Sequence, residues 1–177
     1  MKAYTLQGKT HDFMEASPKK FYLNGEWQAS NEAIDVIDPA TSSVLTQVSL
    51  AQPEDISNAV GSAETAFKSW GKTEPSERAN LLRKLAELIR RDLPILAELE
   101  SMDVGKPVSE AEGFDIPFAA ECFEYFAGVA EDTEYEVDLG LELTDSHIAK
   151  IPYGVAAFVF PWNFPFCLCA WGIAPAL

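Results

Sequence analysis

The stretch GVAAFVFPWNFPFCLCAWGIAPAL, residues 154–177, is the most apolar part of the chain and decides its fold class. It opens with an unbroken apolar run, residues 155–160, which lies between a glycine and a proline. A run of this length with such borders is typical of a strand buried on both faces of a parallel α/β sheet. Residues 161–165 (PWNFP) then predict a turn, and a helix is expected from about Phe166.

One amide side chain, Asn163, lies inside this apolar turn. In parallel sheets, ligands bind at the carboxyl ends of the strands, where the next turn meets the N-terminus of a helix. An amide N–H at that point can stabilise a developing oxyanion without ionising. The same position also suits an asparagine that caps the following helix or bonds its own turn. Spacing alone favours this structural role and leaves the catalytic one open.

Hairpins are predicted before and after the middle of the chain. Asn24 and Gly25 accept the positive φ angles of a tight hairpin turn, and apolar alternation on both sides of residues 38–43 predicts a second antiparallel pair. Residues 1–18 are polar and are expected to form a loosely held arm. Within residues 135–150, leucines alternate with acidic residues, which predicts an exposed hairpin that needs covering or pairing with another subunit.

Helical periodicity dominates the middle of the chain. Apolar residues recur at spacings of three and four, which predicts four helices that begin at Pro53, near Ser76, near Pro94 and after Ser109. Ser109 and Glu112 have the spacing of a capping box, and Gly105 is expected to end the third helix. The apolar faces of these helices are interpreted as core.

Composition and charge exclude several classes of protein. The 177 residues carry 13 basic and 28 acidic side chains, a net charge of −15, which opposes binding to nucleic acid. Three cysteines do not form the pattern of a disulfide framework, and the polar N-terminal segment shows no signal peptide. Proline and asparagine interrupt the closing apolar stretch, so it does not supply the roughly 20 apolar residues of a membrane span. We expect a reducing, cytoplasmic compartment.

Isolated cysteine, histidine and lysine side chains are expected to be structural or solvated. Cys167 and Cys169 have no basic neighbour in the sequence that would lower a thiol pKa, so packing is favoured over a nucleophilic role. A Cys-x-Cys pair without a nearby Cys or His is a poor zinc site, and no metal is expected. His11 and His147 stand alone in polar segments. Lys106 follows a glycine but lacks the rest of a phosphate-loop motif, and it is expected to be a surface loop residue.

Five segments, in one order, resemble the aldehyde dehydrogenase superfamily. The closing sequence IPYGVAAFVFPWNFPFCLCAWGIAPAL resembles the family's core signature, in which a buried strand leads into Pro-Trp-Asn-Phe-Pro and then into a Pro-Ala-Leu segment. Four earlier segments resemble the family's opening hairpins and first helices: FYLNGEW (21–27), VIDPATSSVLTQV (36–48), AVGSAETAFKSW (59–70) and MDVGKPVSEAEGFDIPFAAECFEYFAG (102–128). The resemblance covers residues 21–177, and the order and spacing of the segments make it specific.

The resemblance implies a fold class and an activity. It implies the N-terminal part of an α/β fold, with helices, the start of a Rossmann-like parallel sheet and an oligomerisation-arm hairpin. It also implies an oxidoreductase that converts aldehydes to carboxylic acids with NAD or NADP and forms homo-oligomers. In these terms, residues 1–134 are the hairpins and helices of the cofactor-binding domain, residues 135–151 are part of the oligomerisation arm, and residues 152–177 are the first strand, turn and helix of the cofactor-binding core.

The resemblance further implies roles for seven residues. Asn163 matches the side-chain donor of the oxyanion hole. The residues that match the turn along the nicotinamide half of the cofactor are Phe160, Pro161 and Trp162. The residues that match positions lining the aldehyde tunnel are Phe164, Leu168 and Trp171.

Two departures from the family pattern affect the functional expectation. Gly172 stands where the family usually has lysine, and a glycine destabilises a helix by about 1 kcal/mol relative to alanine. The family's catalytic cysteine, general-base glutamate and ribose-binding lysine lie after the segment where this sequence ends. We therefore expect a fragment that is inactive alone. The alternative is a non-catalytic module that pairs with a full-length relative through residues 135–150, and a thiol enzyme that uses Cys167 or Cys169 ranks last.

Overall fold

A computed structural model describes residues 6–141 and 143–177 as a helical body with three two-stranded sheets. Its elements, in chain order, are α1 (Gly8–Glu15), β1 (Phe21–Leu23), β2 (Glu26–Gln28), β3 (Ala33–Ile37), β4 (Val44–Ser49), α2 (Pro53–Trp70), α3 (Pro75–Arg91), α4 (Leu93–Val104), α5 (Val108–Glu110), a π-helical turn (Ala111–Asp115), α6 (Ile116–Asp132), β5 (Glu136–Asp138), β6 (His147–Ala149) and α7 (Pro165–Ala176).

The two N-terminal hairpins form as predicted. β1 and β2 pair antiparallel around Asn24 and Gly25, whose φ angles are 50° and 83°. A two-residue hairpin turn of type I′ requires positive φ at both central residues. β3 and β4 also pair antiparallel, and their register shifts between Val36 and Ile37.

The expected loose arm is wrong for α1, which packs on α4. Thr10 is fully buried, and its hydroxyl donates a hydrogen bond to the equally buried carboxylate of Glu98. The backbone N–H of Gln7 lies 3.1 Å from both oxygens of that carboxylate. The arm is held because a carboxylate far along the chain satisfies its polar groups. Residues 1–5 of the predicted arm lie outside the described residues.

Proline and glycine set the helix boundaries in the middle of the chain. α2 begins at Pro53, and Gln52 and Asp55 form reciprocal capping bonds at its start. α4 ends before Gly105, whose φ angle of 81° lies in the left-handed region that commonly ends helices. A Cβ at Gly105 would lie 2.6 Å from Cγ of Pro39, so the glycine is required there for space as well as for conformation.

The predicted capping box of the fourth helix is wrong. α5 begins at Val108, directly after Pro107, so Ser109 lies inside the first turn and caps nothing. The fixed φ of proline starts the helix earlier than the capping pattern suggests. The π-helical turn then joins α5 to α6, and within it Asp115 is 1% exposed.

The core lies where α3 and α7 pack on α6. Its larger buried side chains are Leu82, Ile89, Ile116 and Phe123, and the rest are mostly alanines, which let the helices approach closely. At the surface, Arg83 pairs with Glu131 and Arg90 pairs with Glu124 across α3 and α6. Exposed ion pairs contribute about 0–1 kcal/mol each. Apolar packing therefore holds these helices together.

β5 and β6 confirm the hairpin predicted within residues 135–150. Leu139, Leu141 and Leu143 lie in the connection between the two strands, and all three are exposed. Within residues 6–141 and 143–177, no other strand pairs with this hairpin. It therefore presents apolar side chains and open backbone edges to its surroundings.

The buried strand predicted at residues 155–160 is not formed. This segment has no regular secondary structure, it pairs with no strand of the described ranges, and Val159 is fully exposed. A strand forms only when neighbours accept its backbone hydrogen bonds, and a buried strand needs cover on both faces. The start of a parallel sheet is accordingly not visible in the described residues. The helix predicted after the turn is confirmed, because α7 begins at Pro165.

Candidate active site

The candidate site is the turn that leads into α7. Residues 162–164 form the turn, and Phe164 is the residue that precedes the first turn of the helix. Pro165 follows at the first helical position, where its fixed φ favours the helix and its missing N–H leaves no unpaired donor. The turn is therefore held in place from its C-terminal side by the start of a well-packed helix.

Asn163 lies at the tip of this turn with its side chain exposed. Its amide neither caps α7 nor bonds any other residue in the part of the chain that the structure describes. The structural role that spacing favoured for this asparagine is therefore wrong. The amide N–H remains available to a ligand, which is what an oxyanion donor requires.

The three residues matched to the cofactor-facing turn directly precede Asn163 in the chain. Trp162 is 83% exposed and Pro161 is exposed, so both present apolar surface beside the Asn163 amide. Phe160 is half-buried, and its ring stacks on Phe158 with centroids 5.6 Å apart and an interplanar angle of 6°. Exposed aromatic and apolar side chains of this kind can pack against a flat ring.

The Phe158–Phe160 pair explains the glycine at position 172. A Cβ built on Gly172 would lie 2.5 Å from Cε1 of Phe160 and 3.1 Å from Cδ1 of Phe158. Real carbon contacts are about 3.5–4.0 Å, so the two rings occupy the space that any side chain at position 172 would need. The glycine that stands where the resemblance implies a lysine is thus packed against the two phenylalanines that precede the turn.

The residues matched to the aldehyde tunnel share one face of α7 and its cap. Phe164, Leu168 and Trp171 recur at spacings of four and three, so they line up along the helix. The Trp171 ring meets the edge of Phe118 at 5.8 Å, and Phe118 stacks on Phe114 at 5.2 Å. The turn is therefore continuous with an aromatic surface that extends onto α6 and the π-helical turn.

A groove of about 630 Å³ lies along this aromatic surface. Its lining residues are Phe118, Glu121, Cys122, Tyr125, Phe126 and Trp171. Of these residues, only Trp171 was predicted to belong to a functional site. Phe118 and Tyr125 lie seven apart on α6, on a face separate from the buried stripe at Ala119 and Phe123. An aromatic pair at helical spacing outside the core stripe is the signal that could have found them.

A buried ammonium lies beneath the turn. The Lys106 side chain is 10% exposed and pairs with two carboxylates, so the expectation of a surface loop residue is wrong. Its Nζ also lies 4.1 Å from the ring centroid of Phe164. A single lysine in a polar loop carries no sequence signal of burial, because its partners come from other elements.

The cysteines pack, as predicted, and are poor nucleophiles. Cys167 is buried, and its thiol donates a hydrogen bond to the Asp115 carbonyl at 3.2 Å. Burial, reinforced by the negative charges of Asp115 and Glu100, raises the pKa of Cys167 to about 12. Burial also raises the pKa of Cys169. Thiolates at these positions are therefore rare at neutral pH, which contradicts the thiol-enzyme alternative.

Residues 6–141 and 143–177 contain neither a cluster suited to a metal ion nor a helix suited to a membrane. No group of three or more His, Cys, Asp or Glu side chains in these ranges could hold a metal ion. No helix in the same ranges has the length and hydropathy to cross a membrane.

Comparison with known proteins gives the family. The family model for the aldehyde dehydrogenase family matches residues 27–177. The chain belongs to the aldehyde dehydrogenase family. The chain is 37% identical over 170 residues to the peroxisomal aminoaldehyde dehydrogenase 2 of Pisum sativum, covering 90% of this chain and 34% of that relative. It is 34% identical over 177 residues to an aldehyde dehydrogenase of Paracoccus denitrificans, covering 96% and 35%.

Solved aldehyde dehydrogenases share its fold. The NAD⁺ complex of the Bacillus cereus aldehyde dehydrogenase superposes with a TM-score of 0.93 at 33% identity, covering 97% of this chain and 36% of that one. The NAD⁺ complex of the Staphylococcus aureus betaine aldehyde dehydrogenase gives 0.86 at 32% identity, covering 95% and 34%. These matches confirm the fold class. The chain spans about a third of the length of the relatives it matches.

Proposed function

We propose that this chain provides the oxyanion donor and the cofactor-facing turn of an NAD(P)-dependent aldehyde dehydrogenase, which oxidises aldehydes to carboxylic acids. The observation that carries the proposal is the Asn163 amide, exposed and unbonded among the described residues at the entry to α7. An amide with a local structural duty would be bonded to its own turn or helix. This one is free to bind a ligand oxygen.

The reaction assigns a separate task to each group. A cysteine thiolate, which none of the seven site residues supplies, adds to the aldehyde carbon. The carbonyl oxygen then becomes an oxyanion. The Asn163 side-chain N–H donates a hydrogen bond to that oxygen and lowers the barrier to its formation. NAD(P)⁺ would serve as acceptor of the hydride that the former aldehyde carbon loses, and this loss turns the adduct into a thioester. Water then hydrolyses the resulting thioester, which releases the carboxylic acid and regenerates the thiol.

The other six site residues bind and orient. Phe160, Pro161 and Trp162 provide the apolar surface for the nicotinamide half of the cofactor, and the exposed indole of Trp162 fits a flat ring. Phe164, Leu168 and Trp171 provide one wall for the aldehyde. A wall that excludes water also strengthens the hydrogen bond from Asn163, because the local dielectric constant falls.

The groove next to Trp171 favours an aldehyde with a positively charged nitrogen. Phe118, Tyr125 and Trp171 offer aromatic faces, and the exposed carboxylate of Glu121 lines the same groove. Aromatic faces attract cations by about 0.5–1 kcal/mol at exposed sites. Two relatives are named for aminoaldehyde and betaine aldehyde substrates, which agrees with this chemistry.

The proposal is tested in a chimera, in which this chain replaces the matching third of the Bacillus cereus aldehyde dehydrogenase. We expect aldehyde-dependent reduction of NAD⁺ or NADP⁺, followed at 340 nm. Asn163→Ala should lower kcat by about 10²–10³, as loss of one oxyanion donor does elsewhere. Asn58→Ala, at an exposed position of α2, is the matched control and should change kcat less than twofold. Equal kcat for the two variants would refute the role of Asn163.

The substrate class is tested in the same chimera. An ω-aminoaldehyde is compared with an uncharged aldehyde of equal chain length, and the ratio of their kcat/KM values is measured. Tyr125→Leu should lower that ratio by about threefold, since the cation loses one aromatic face. A ratio that does not respond to Tyr125→Leu would exclude the cationic class.

We expect the chain by itself to show no turnover. The alternative, a non-catalytic module that pairs with a full-length relative, is tested on the same purified chain. The exposed leucines between β5 and β6 favour association of this hairpin with another subunit. Size-exclusion chromatography with and without a full-length relative tests this. A mixed oligomer supports a pairing module, whereas large aggregates that bind a hydrophobic dye support a fragment with uncovered apolar surface.

All three cysteines are free, which fits the reducing, cytoplasmic compartment that we propose.

A further inference from the structure

A buried network of three charged side chains lies under the candidate turn. Nζ of Lys106 is 3.3 Å from Oε1 of Glu100 and 2.5 Å from Oδ2 of Asp115. Both carboxylate side chains are 5% exposed or less. The partners come from α4 and from the π-helical turn, so the lysine ties two elements of the helical body together.

The network contacts the residues that directly follow Asn163. Nζ of Lys106 lies under the Phe164 ring, as a cation against an aromatic face. The Cys167 thiol donates to the Asp115 carbonyl. Two contacts, at Phe164 and at Cys167, thus join the end of the turn and the first turn of α7 to the same charged group.

The lysine is the member that keeps this network together. Burial acts to lower the pKa of Lys106, but its hydrogen bond to Asp115 and the charges of both carboxylates outweigh burial and raise it. Burial raises the pKa of Glu100 despite the nearby ammonium. Without Lys106, two buried carboxylates would face each other with no cation, and a broken buried ion pair is strongly destabilising.

We propose that Lys106 is a positioning residue for the Asn163 amide, acting through the Phe164 ring and the first turn of α7. The inference rests on the proposed function of Asn163. Lys106 itself points into the helical body and not toward the exposed tip of the turn. Its effect on catalysis is therefore indirect. A residue that only stabilises the fold would change the melting temperature, whereas Lys106 should also change the position of the Asn163 amide.

The first test uses the chain itself and needs no activity. Lys106→Met is compared with Lys106→Arg, which keeps the charge, and with Lys84→Met, an exposed lysine of α3, as the matched control. In ¹H–¹⁵N spectra, we expect Lys106→Met to shift the Asn163 side-chain amide and the Trp162 indole signals. We also expect Cys167 to react at least tenfold faster with a thiol reagent, as measured by peptide-resolved mass spectrometry. In Lys106→Arg, the amide and indole shifts and the Cys167 reaction rate should stay close to the wild-type values. Lys84→Met should change none of them.

The second test measures kinetics in the chimera. Lys106→Met should lower kcat about tenfold or more, with KM for the aldehyde within about twofold, because a misplaced donor weakens transition-state binding. Adding Lys106→Met to Asn163→Ala should cause no further loss, since the lysine acts through the amide. Multiplicative losses in the double variant would overturn the proposal.

The two proposals fail in different ways. If Asn163→Ala leaves kcat unchanged while Lys106→Met still shifts the Asn163 amide and exposes Cys167, the proposed function fails and the positioning contact stands. If Lys106→Met only lowers the melting temperature, with the amide signals and Cys167 reactivity unchanged, the positioning role is refuted. If Lys106→Met does not fold, Lys106→Arg still tests the proposal. Because arginine keeps the positive charge, we expect its kcat, its amide signals and its Cys167 reactivity to stay close to those of the wild type.

Discussion

Replacing Gly172 by alanine tests how the segment before the turn packs on α7. Alanine is favoured over glycine by about 1 kcal/mol in a helix interior. Opposing this, the new Cβ would lie 2.5 Å from Cε1 and 2.8 Å from Cζ of Phe160, so that ring must swing away. The displaced ring loses its stack on Phe158, worth about 0.5–1.5 kcal/mol, together with part of its burial. The two effects oppose each other, and we expect Gly172→Ala to be neutral or to destabilise by about 1 kcal/mol.

A matched glycine and a double variant isolate the steric effect. Gly128, in α6, has open space where its Cβ would stand, so Gly128→Ala should stabilise the chain by about 1 kcal/mol. With Phe160→Ala as background, Gly172→Ala should also become stabilising, because the nearer ring is gone and Cδ1 of Phe158, at 3.1 Å, needs to move only slightly. The free energy of unfolding is measured by urea denaturation for all four members of the cycle. We expect a coupling energy of about 1 kcal/mol or more between positions 160 and 172. A coupling below about 0.3 kcal/mol, which is the usual limit of additivity, would refute the packing of Phe160 on Gly172.

Two further predictions concern buried groups. Because the pKa of Cys167 is raised from 9.0 to about 12 in the folded chain, its contribution to stability is complete below pH 9 and is lost as the pH rises toward 12. The free energy of unfolding should therefore fall more steeply between pH 9 and pH 11 in the wild type than in Cys167→Ala, by at most about 1.4 kcal/mol per pH unit; parallel curves would contradict the burial of this thiol. Thr10→Val removes a donor from the buried Glu98 carboxylate and should destabilise the chain by about 1–3 kcal/mol, with faster amide exchange in α1. Unchanged exchange in α1 would mean that this contact does not hold the N-terminal helix.

The features that the sequence predicted correctly depend on local constraints. Asn24 and Gly25 tolerate positive φ, Pro53 favours the first position of a helix, and Gly105 allows a left-handed end. Each of these properties belongs to one residue and its neighbours, so a single sequence reveals them. The motif around Asn163 was visible for the same reason, since its turn and its helix are contiguous in the chain.

The features that sequence reasoning missed depend on partners far along the chain. Thr10 and Glu98 are 88 residues apart, and neither shows in sequence that it is buried with the other. Lys106 has a polar neighbourhood in sequence, and its burial follows only from how α4 and the π-helical turn come together. The steric reason for Gly172 likewise required the rings of Phe158 and Phe160 to be located.

The sequence by itself determined the order of hairpins and helices, the family resemblance and the position of the one polar side chain in an apolar turn, because proline, glycine and apolar spacing act over short distances. Only the tertiary structure decided that the Asn163 amide has no hydrogen-bond partner among the described residues and that the Lys106 ammonium lies against the Phe164 ring at the end of its turn. Burial and pairing are properties of elements brought together in space. A buried charge requires its counter-charge wherever in the chain that partner lies.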